Sequence, residues 1–141
     1  RELFAYVPRS VYPILRSLTD VDYSHLYFVD GPIVEGDVHL NGNWKTVVVG
    51  STGAGPAGLF ALDVTAPDQF DQSKVLWDIT PAEEPDLGKV MGSGYVGSVK
   101  YNQNGGKWVA IVPNGYASAN DRAVLLIIDI ATGQQGVQCV S

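Results

Sequence analysis

Two stretches of this chain copy one another at a spacing that leaves few architectures open. Gly36-Asp37-Val38-His39-Leu40, followed by Trp44 to Val49, lines up with Gly97-Ser98-Val99-Lys100-Tyr101, followed by Trp108 to Val112. Leu62-Asp63-Val64-Thr65 is echoed by Ile128-Asp129-Ile130-Ala131-Thr132-Gly133, and Leu3-Phe4-Ala5 matches Leu59-Phe60-Ala61. Gly36 precedes Gly97 by 61 residues, Trp44 precedes Trp108 by 64 and Asp63 precedes Asp129 by 66. A period of this length, holding four short strands in each copy, predicts β-propeller blades with long loops.

The expected fold is therefore all-β, made of blades of four antiparallel strands plus one short N-terminal helix. On this count the chain holds about two and a half blades: a half blade over 1–31, a full blade over 36–79 and another over 97–140. Propellers close and protect their edges with about four to eight blades. The chain is thus expected to be an excerpt of a longer protein, or to be completed by other copies or a partner, because open sheet edges invite pairing.

Strand and turn signals fill in this frame. Glu2 to Val7 reads as a strand stopped by Pro8, and Leu26 to Val29 as a strand stopped by Asp30-Gly31. Between them Ser10 is placed to cap a helix over 10–19, with Val11, Ile14, Leu15 and Leu18 on one face and Pro13 in its first turn. Asn41-Gly42-Asn43 predicts a hairpin turn with positive φ, and Asn102 to Gly106 predicts its counterpart. Gly50 to Gly58 reads as a mobile glycine loop, Pro81 to Asp86 as an exposed acidic loop, and Val75 to Ile79 and Val124 to Ile128 as strands.

Charge and composition narrow the function. The net charge is −6, no run of Lys or Arg is present, and a nucleic-acid partner is not expected. The apolar run Ala123 to Ile128 is far too short to span a bilayer. Cys139 is the single cysteine, so no internal disulfide is available, and a small apolar position in a terminal strand is the expectation.

No stretch announces catalysis. The glycine loop lacks the Gly-Lys-Ser/Thr ending of a phosphate cradle and leads into a strand instead of a helix N-terminus. Asp20-Val21-Asp22-Tyr23-Ser24 begins like a calcium loop, but His25 stands where the turn needs Gly and Gly31 where a bidentate Glu would close the site. Ser24, His25 and Asp30 make no triad, since neighbouring side chains on an extended chain diverge. No catalytic, cofactor-binding or metal residues are therefore assigned. Trp44, Trp77 and Trp108 are expected to pack the sheets, and Asp63 and Asp129 to accept backbone N–H groups in the turns that each enters. Loop residues are the candidates for contact with partners: Gly53 and Gly55 in the first loop, Glu83, Glu84 and Asp86 in the second, and Tyr116, Asn120 and Asp121 in the third.

Glu2-Leu3-Phe4-Ala5-Tyr6-Val7-Pro8, Tyr27-Phe28-Val29-Asp30-Gly31, Gly36-Asp37-Val38, Trp44 to Gly50, Phe60 to Thr65, Asp86-Leu87-Gly88 and Asn114-Gly115-Tyr116 stand in a specific order. In that order, from about Glu2 to Gly133, they resemble the C-terminal propeller of the PilC/PilY family of type IV pilus proteins. The resemblance implies a non-enzymatic segment of a large extracellular protein at the pilus tip or outer membrane of a Gram-negative bacterium. Such a protein supports pilus assembly, retraction control and surface attachment. The partners it implies are minor pilins or pilus-tip subunits, a host or abiotic surface, and the remaining blades or other copies. It also implies calcium in the parent protein, in a loop beyond Ser141, and no cofactor in this segment.

A second likeness supplies a rival. Ala61-Leu62-Asp63 leading to Val75-Leu76-Trp77 is similar to the blades of pyrroloquinoline-quinone dehydrogenases, a quinoprotein-like propeller. Those enzymes pair a calcium cluster with adjacent cysteines, which this chain does not carry. A third reading is a structural module of a surface filament, completed by strand exchange with neighbours.

Overall fold

A computed structural model describes residues 1–102 and 105–139. Two four-stranded antiparallel sheets carry the chain, each in simple sequence order. The first contains β1 (Ile33–Leu40), β2 (Asn43–Ser51), β3 (Leu59–Asp63) and β4 (Val75–Ile79). The second contains β5 (Tyr95–Asn102), β6 (Gly105–Pro113), β7 (Val124–Asp129) and β8 (Gln135–Cys139). The β1–β2 hairpin turns on Asn41 (φ 51°) and Gly42 (φ 82°), with Leu40 paired to Asn43. Two successive positive φ values match the right-handed twist of the flanking strands, which is why Asn-Gly is favoured there. Part of the corresponding turn at 102–106, residues 103 and 104, lies outside the described residues, as does Val140.

The expectation of two and a half propeller blades is not met. The two sheets do not close into a ring, and residues 1–32 contain no strand, so the half blade does not exist. In the segment Glu2 to Val7 it is Phe4 and Tyr6 that cover a sheet instead of joining one, while Leu26, Tyr27 and Val29 stay exposed. Phe4 stacks on Phe70 with ring centres 4.0 Å apart, and Tyr6 tilts onto Phe60 of β3 at 5.3 Å. This strap lies against the outer face of the first sheet. Its apolar pattern is the same as a strand's, and only the tertiary contacts decide between them.

The helix also differs from expectation. Arg9–Thr19 is a 3₁₀-helix whose first bond runs from Val11 N–H to the Pro8 carbonyl. Three residues per turn place Val11, Ile14 and Ser17 on one side, and these, with Ser10, are its buried and half-buried positions, whereas Leu15 and Leu18 are exposed. Pro8, not Ser10, occupies the N-cap, and the Ser10 hydroxyl is shielded without a partner.

Registers reveal how the sheets meet. Val47 pairs with Asp63 in the first sheet as Val109 pairs with Asp129 in the second. The structural offset there is thus 62 residues for the valines, so Trp44 corresponds to Gly106 and Trp108 to Thr46, not to each other. Val38, Leu40, Val47, Val49, Leu59, Ala61, Trp77 and Ile79 share the buried face of the first sheet. The second sheet contributes Ala110, Val112, Val124, Leu126 and Ile128 to the same core. Because side chains alternate along a strand, this is the face opposite to that of Val109, the counterpart of Val47. The sheets therefore stack unlike face to unlike face.

Candidate functional site

Strand direction brings three connections to one end of the molecule: the β2–β3 loop, the β4–β5 segment and the β6–β7 loop. Sequence reasoning placed its candidate contact residues on these connections, as exposed or mobile loops. The structure shows them tied together.

In the first loop Thr52 is buried, and its hydroxyl donates to the Pro56 and Gly58 carbonyls while its N–H also reaches Gly58. Gly53 has φ +65° and sits against Gly31, where an added Cβ would lie 2.6 Å from the Gly31 nitrogen. Gly55 approaches Phe28 as closely, with its Cβ position 2.2 Å from that carbonyl oxygen. The Asp30 carboxylate accepts the Ala54 N–H at 3.0 Å. The glycines therefore permit close packing of the strap; this is a fitted loop, where the sequence suggested a mobile one.

The acidic loop divides. Glu83 remains exposed, accepting from Arg9 Nη2 at 2.8 Å and from the Thr80 hydroxyl at 2.7 Å. The Thr80 hydroxyl and N–H, with Arg9 behind them, hold its carboxyl at about 2. Glu84 and Asp86 are only 7% and 3% exposed. Glu84 accepts the Asp86 N–H, and Asp86 accepts from Arg122 Nε at 3.0 Å, Arg122 Nη2 at 2.5 Å and Asn120 Nδ2 at 2.7 Å. Arg122 first, and Asn120 second, keep the Asp86 carboxyl below its ordinary value. Sequence distances of 34 and 36 residues separate these partners, so no local signal announced the clamp.

Asn114 completes the tie. Its amide donates to the carbonyls of Asp86 and Arg122, and its side-chain oxygen accepts the Val124 N–H. Gly88 N–H donates to the Asn114 carbonyl at 2.8 Å, and Lys89 pairs with Tyr116 as an isolated antiparallel bridge. Gly115, at φ +76°, lets the chain pass 2.1 Å from Cβ position to the Lys89 carbonyl oxygen, a spacing no side chain tolerates. Tyr116 and Asp121 project into solvent from this braced loop. Lys89 Nζ crosses to the Ala54 carbonyl at 2.9 Å and so joins the second loop to the first.

The tryptophans and aspartates lie elsewhere. Trp77 is 7% exposed, and its Nε1–H donates to the Ile130 carbonyl across the sheet interface. Trp108 is half-buried, while Trp44 is 63% exposed and meets Trp108 edge-on at 5.6 Å and His39 edge-on at 5.3 Å. Asp63 accepts the Thr65 N–H and Asp129 the Ala131 N–H, each two residues on. Lys45 bonds Asp63 and Lys107 bonds Asp129, both at 2.7 Å. Burial pulls the Asp63 carboxyl upward, but Lys45 and Thr65 outweigh it and leave it below its ordinary value.

Among the described residues no three His, Cys, Asp or Glu side chains gather at a point suited to a metal ion. Among them, too, no helix is long and apolar enough to cross a membrane. What this end of the molecule offers is a braced polar rim with exposed tyrosine and carboxylate groups and a half-buried lysine, a surface suited to recognition.

Residues 6–138 match the family described as the PilY1 beta-propeller domain, and the chain belongs to that family. It is 47% identical over 133 residues to a type IV pilus biogenesis factor PilY1 homolog of Xylella fastidiosa, covering 94% of this chain and 9% of that protein. It is 44% identical over 135 residues to the type IV pilus biogenesis factor PilY1 of Pseudomonas aeruginosa, covering 94% of this chain and 11% of that protein. The crystal structure of the Pseudomonas aeruginosa PilY1 C-terminal domain superposes with a TM-score of 0.76 at 38% identity, over 100% of this chain and 26% of that one. The chain thus spans about a tenth of the length of these curated relatives.

Proposed function

We propose that this chain is a non-enzymatic segment of a type IV pilus biogenesis protein. The protein that carries it acts at the pilus tip or outer membrane, in pilus assembly, retraction control and surface attachment. The observation that carries this reading is the 47% identity, over nearly the whole chain, with a relative named as a pilus biogenesis factor. The braced loop end supports it physically: donors and acceptors already held in place lose little conformational freedom on binding. Tyr116, Glu83 and Asp121 are the exposed residues there that we assign to contact. The partners of this reading are minor pilins or other pilus-tip subunits, with a host or abiotic surface reached through the longer protein.

The test is an in-frame deletion of this segment in the bacterium that carries it, with surface pili counted by electron microscopy and the intact gene supplied back. Loss of surface pili, restored by the intact gene, is expected. Normal piliation together with normal attachment would overturn the reading. Dye-linked alcohol oxidation in the presence of pyrroloquinoline quinone and calcium would overturn its non-enzymatic half.

A further inference from the structure

Beside the braced loops lies an open cleft of about 350 Å³. Ile14, Leu26 and Pro56 give it aliphatic walls, and His25, Tyr27 and Lys89 also line it. Lys89 is half-buried, and the one hydrogen bond of its ammonium among the described residues goes to the Ala54 carbonyl. Among the described residues no carboxylate lies within ion-pair distance of it, although the protein is acidic overall. Asp30, whose carboxylate accepts the Ala54 N–H at 3.0 Å, is committed to that loop. An ammonium has three donors, so Lys89 keeps two for a ligand, in a setting where partial desolvation strengthens the attraction.

We propose that this cleft binds an acidic peptide, with the carboxylate of a Glu or Asp side chain on Lys89 and a neighbouring apolar side chain between Ile14, Leu26 and Pro56. The chemistry favours a peptide over an acidic sugar. A sugar ring presents many hydroxyls and needs a matching set of polar partners or a flat aromatic floor. Here one cation faces aliphatic walls, and the His25 and Tyr27 rings are turned edge-on to each other at 82°. Tyr27 and His25 supply the remaining polar edge.

The inference does not depend on the pilus reading, because binding is measured on the chain itself. Titration of the full chain, by NMR shifts and calorimetry, would use acetyl-Leu-Glu-Leu-amide, the same peptide with Gln for Glu, and glucuronate. Saturable binding of the Glu peptide, with shifts centred on Lys89, His25 and Leu26, is expected. The Gln peptide should bind about tenfold more weakly, the loss expected when a charge-assisted bond becomes a neutral one. Added salt should weaken the Glu peptide alone. Lys89→Met, which keeps the apolar stem, should reproduce the tenfold loss, Lys89→Arg should restore binding, and Lys74→Met at the far end should change nothing. Equal binding of the Glu and Gln peptides, binding of glucuronate in preference to the peptide, or no saturable binding by wild-type protein would each overturn the proposal. The peptide comparison uses unaltered protein, so the result stands even if a Lys89 variant misfolds.

Discussion

The two sheets share strand order, register and the Lys–Asp pair at equivalent positions, yet they are housed differently. In the first sheet every residue of β3 is buried: the second sheet covers one face, and on the other the strap lays Tyr6 onto Phe60. In the second sheet β7 alternates buried and half-buried residues, since only one face meets the common core. Where Trp77 stands in β4, the second sheet has Gly136 opposite Ile127, beside an open cleft of about 200 Å³. The same local grammar thus yields a doubly walled sheet and a singly walled one, and what differs is the chain placed around it.

The largest effect should come from Trp77, which the first sheet has and the second lacks. Trp77→Ala removes a buried ring and its bond to Ile130, and should cost about 3–5 kcal/mol in denaturant unfolding. A cost below about 1 kcal/mol would show that the sheets are not held by that side chain. The two ion pairs give a sharper contrast. Lys45→Met strands Asp63, whose side chain is 6% exposed, and should cost about 2 kcal/mol. Lys107→Met acts on a pair whose lysine is 51% exposed, and should cost no more than about 0.5 kcal/mol. Equal costs would mean that the difference in housing is energetically empty.

Next comes the strap. Tyr6 O–H donates to Asp78 Oδ2 at 2.5 Å, and Arg9 N–H donates to the same atom at 2.7 Å. Tyr6→Phe should cost about 1 kcal/mol and raise binding of an apolar dye to the exposed Phe60 face. Burial, and then Asp78, push the Tyr6 hydroxyl well above its ordinary value of 10.0. Its raised value makes the contribution complete below pH 10 and lost as pH rises further, so wild type should lose its advantage over Tyr6→Phe in alkali.

At the acid end the sign reverses. Asp63, Asp86 and Glu83 all titrate below their ordinary values, so their contribution is present above those ordinary values and is lost as pH falls through the lowered ones, about 2 for Glu83. Melting temperature should fall by several degrees over that window, and Asp86→Asn should flatten the fall. The smallest effect is in hydrogen exchange, where β3 amides should outlast those of β7; the reverse order would contradict the double wall.

Much of the strand layout was legible because strands write themselves locally. Val75–Ile79 is β4 as its apolar run suggests, and Asn41-Gly42 carries its turn in its own residue types. The strap was not legible, since Leu3-Phe4-Ala5 looks like Leu59-Phe60-Ala61 whether it pairs with a strand or lies across one. The repeat was legible in outline and misaligned in detail. Tryptophans are conspicuous, but Lys45 and Lys107, each bonded to the aspartate of the third strand, mark the true correspondence. The Asp86 clamp was hidden for a different reason: a run of Glu83, Glu84 and Asp86 looks solvated until Arg122 and Asn120 are folded onto it.

The unlike-face contact between the sheets has a consequence for symmetry. Two identical surfaces can meet across a two-fold axis, and an isologous pair then consumes both and stops. The contact here joins different surfaces, so it has a direction, and a two-fold pairing of identical chains cannot reproduce it. Any association that copies this internal contact must be heterologous, with each partner giving one surface and receiving another.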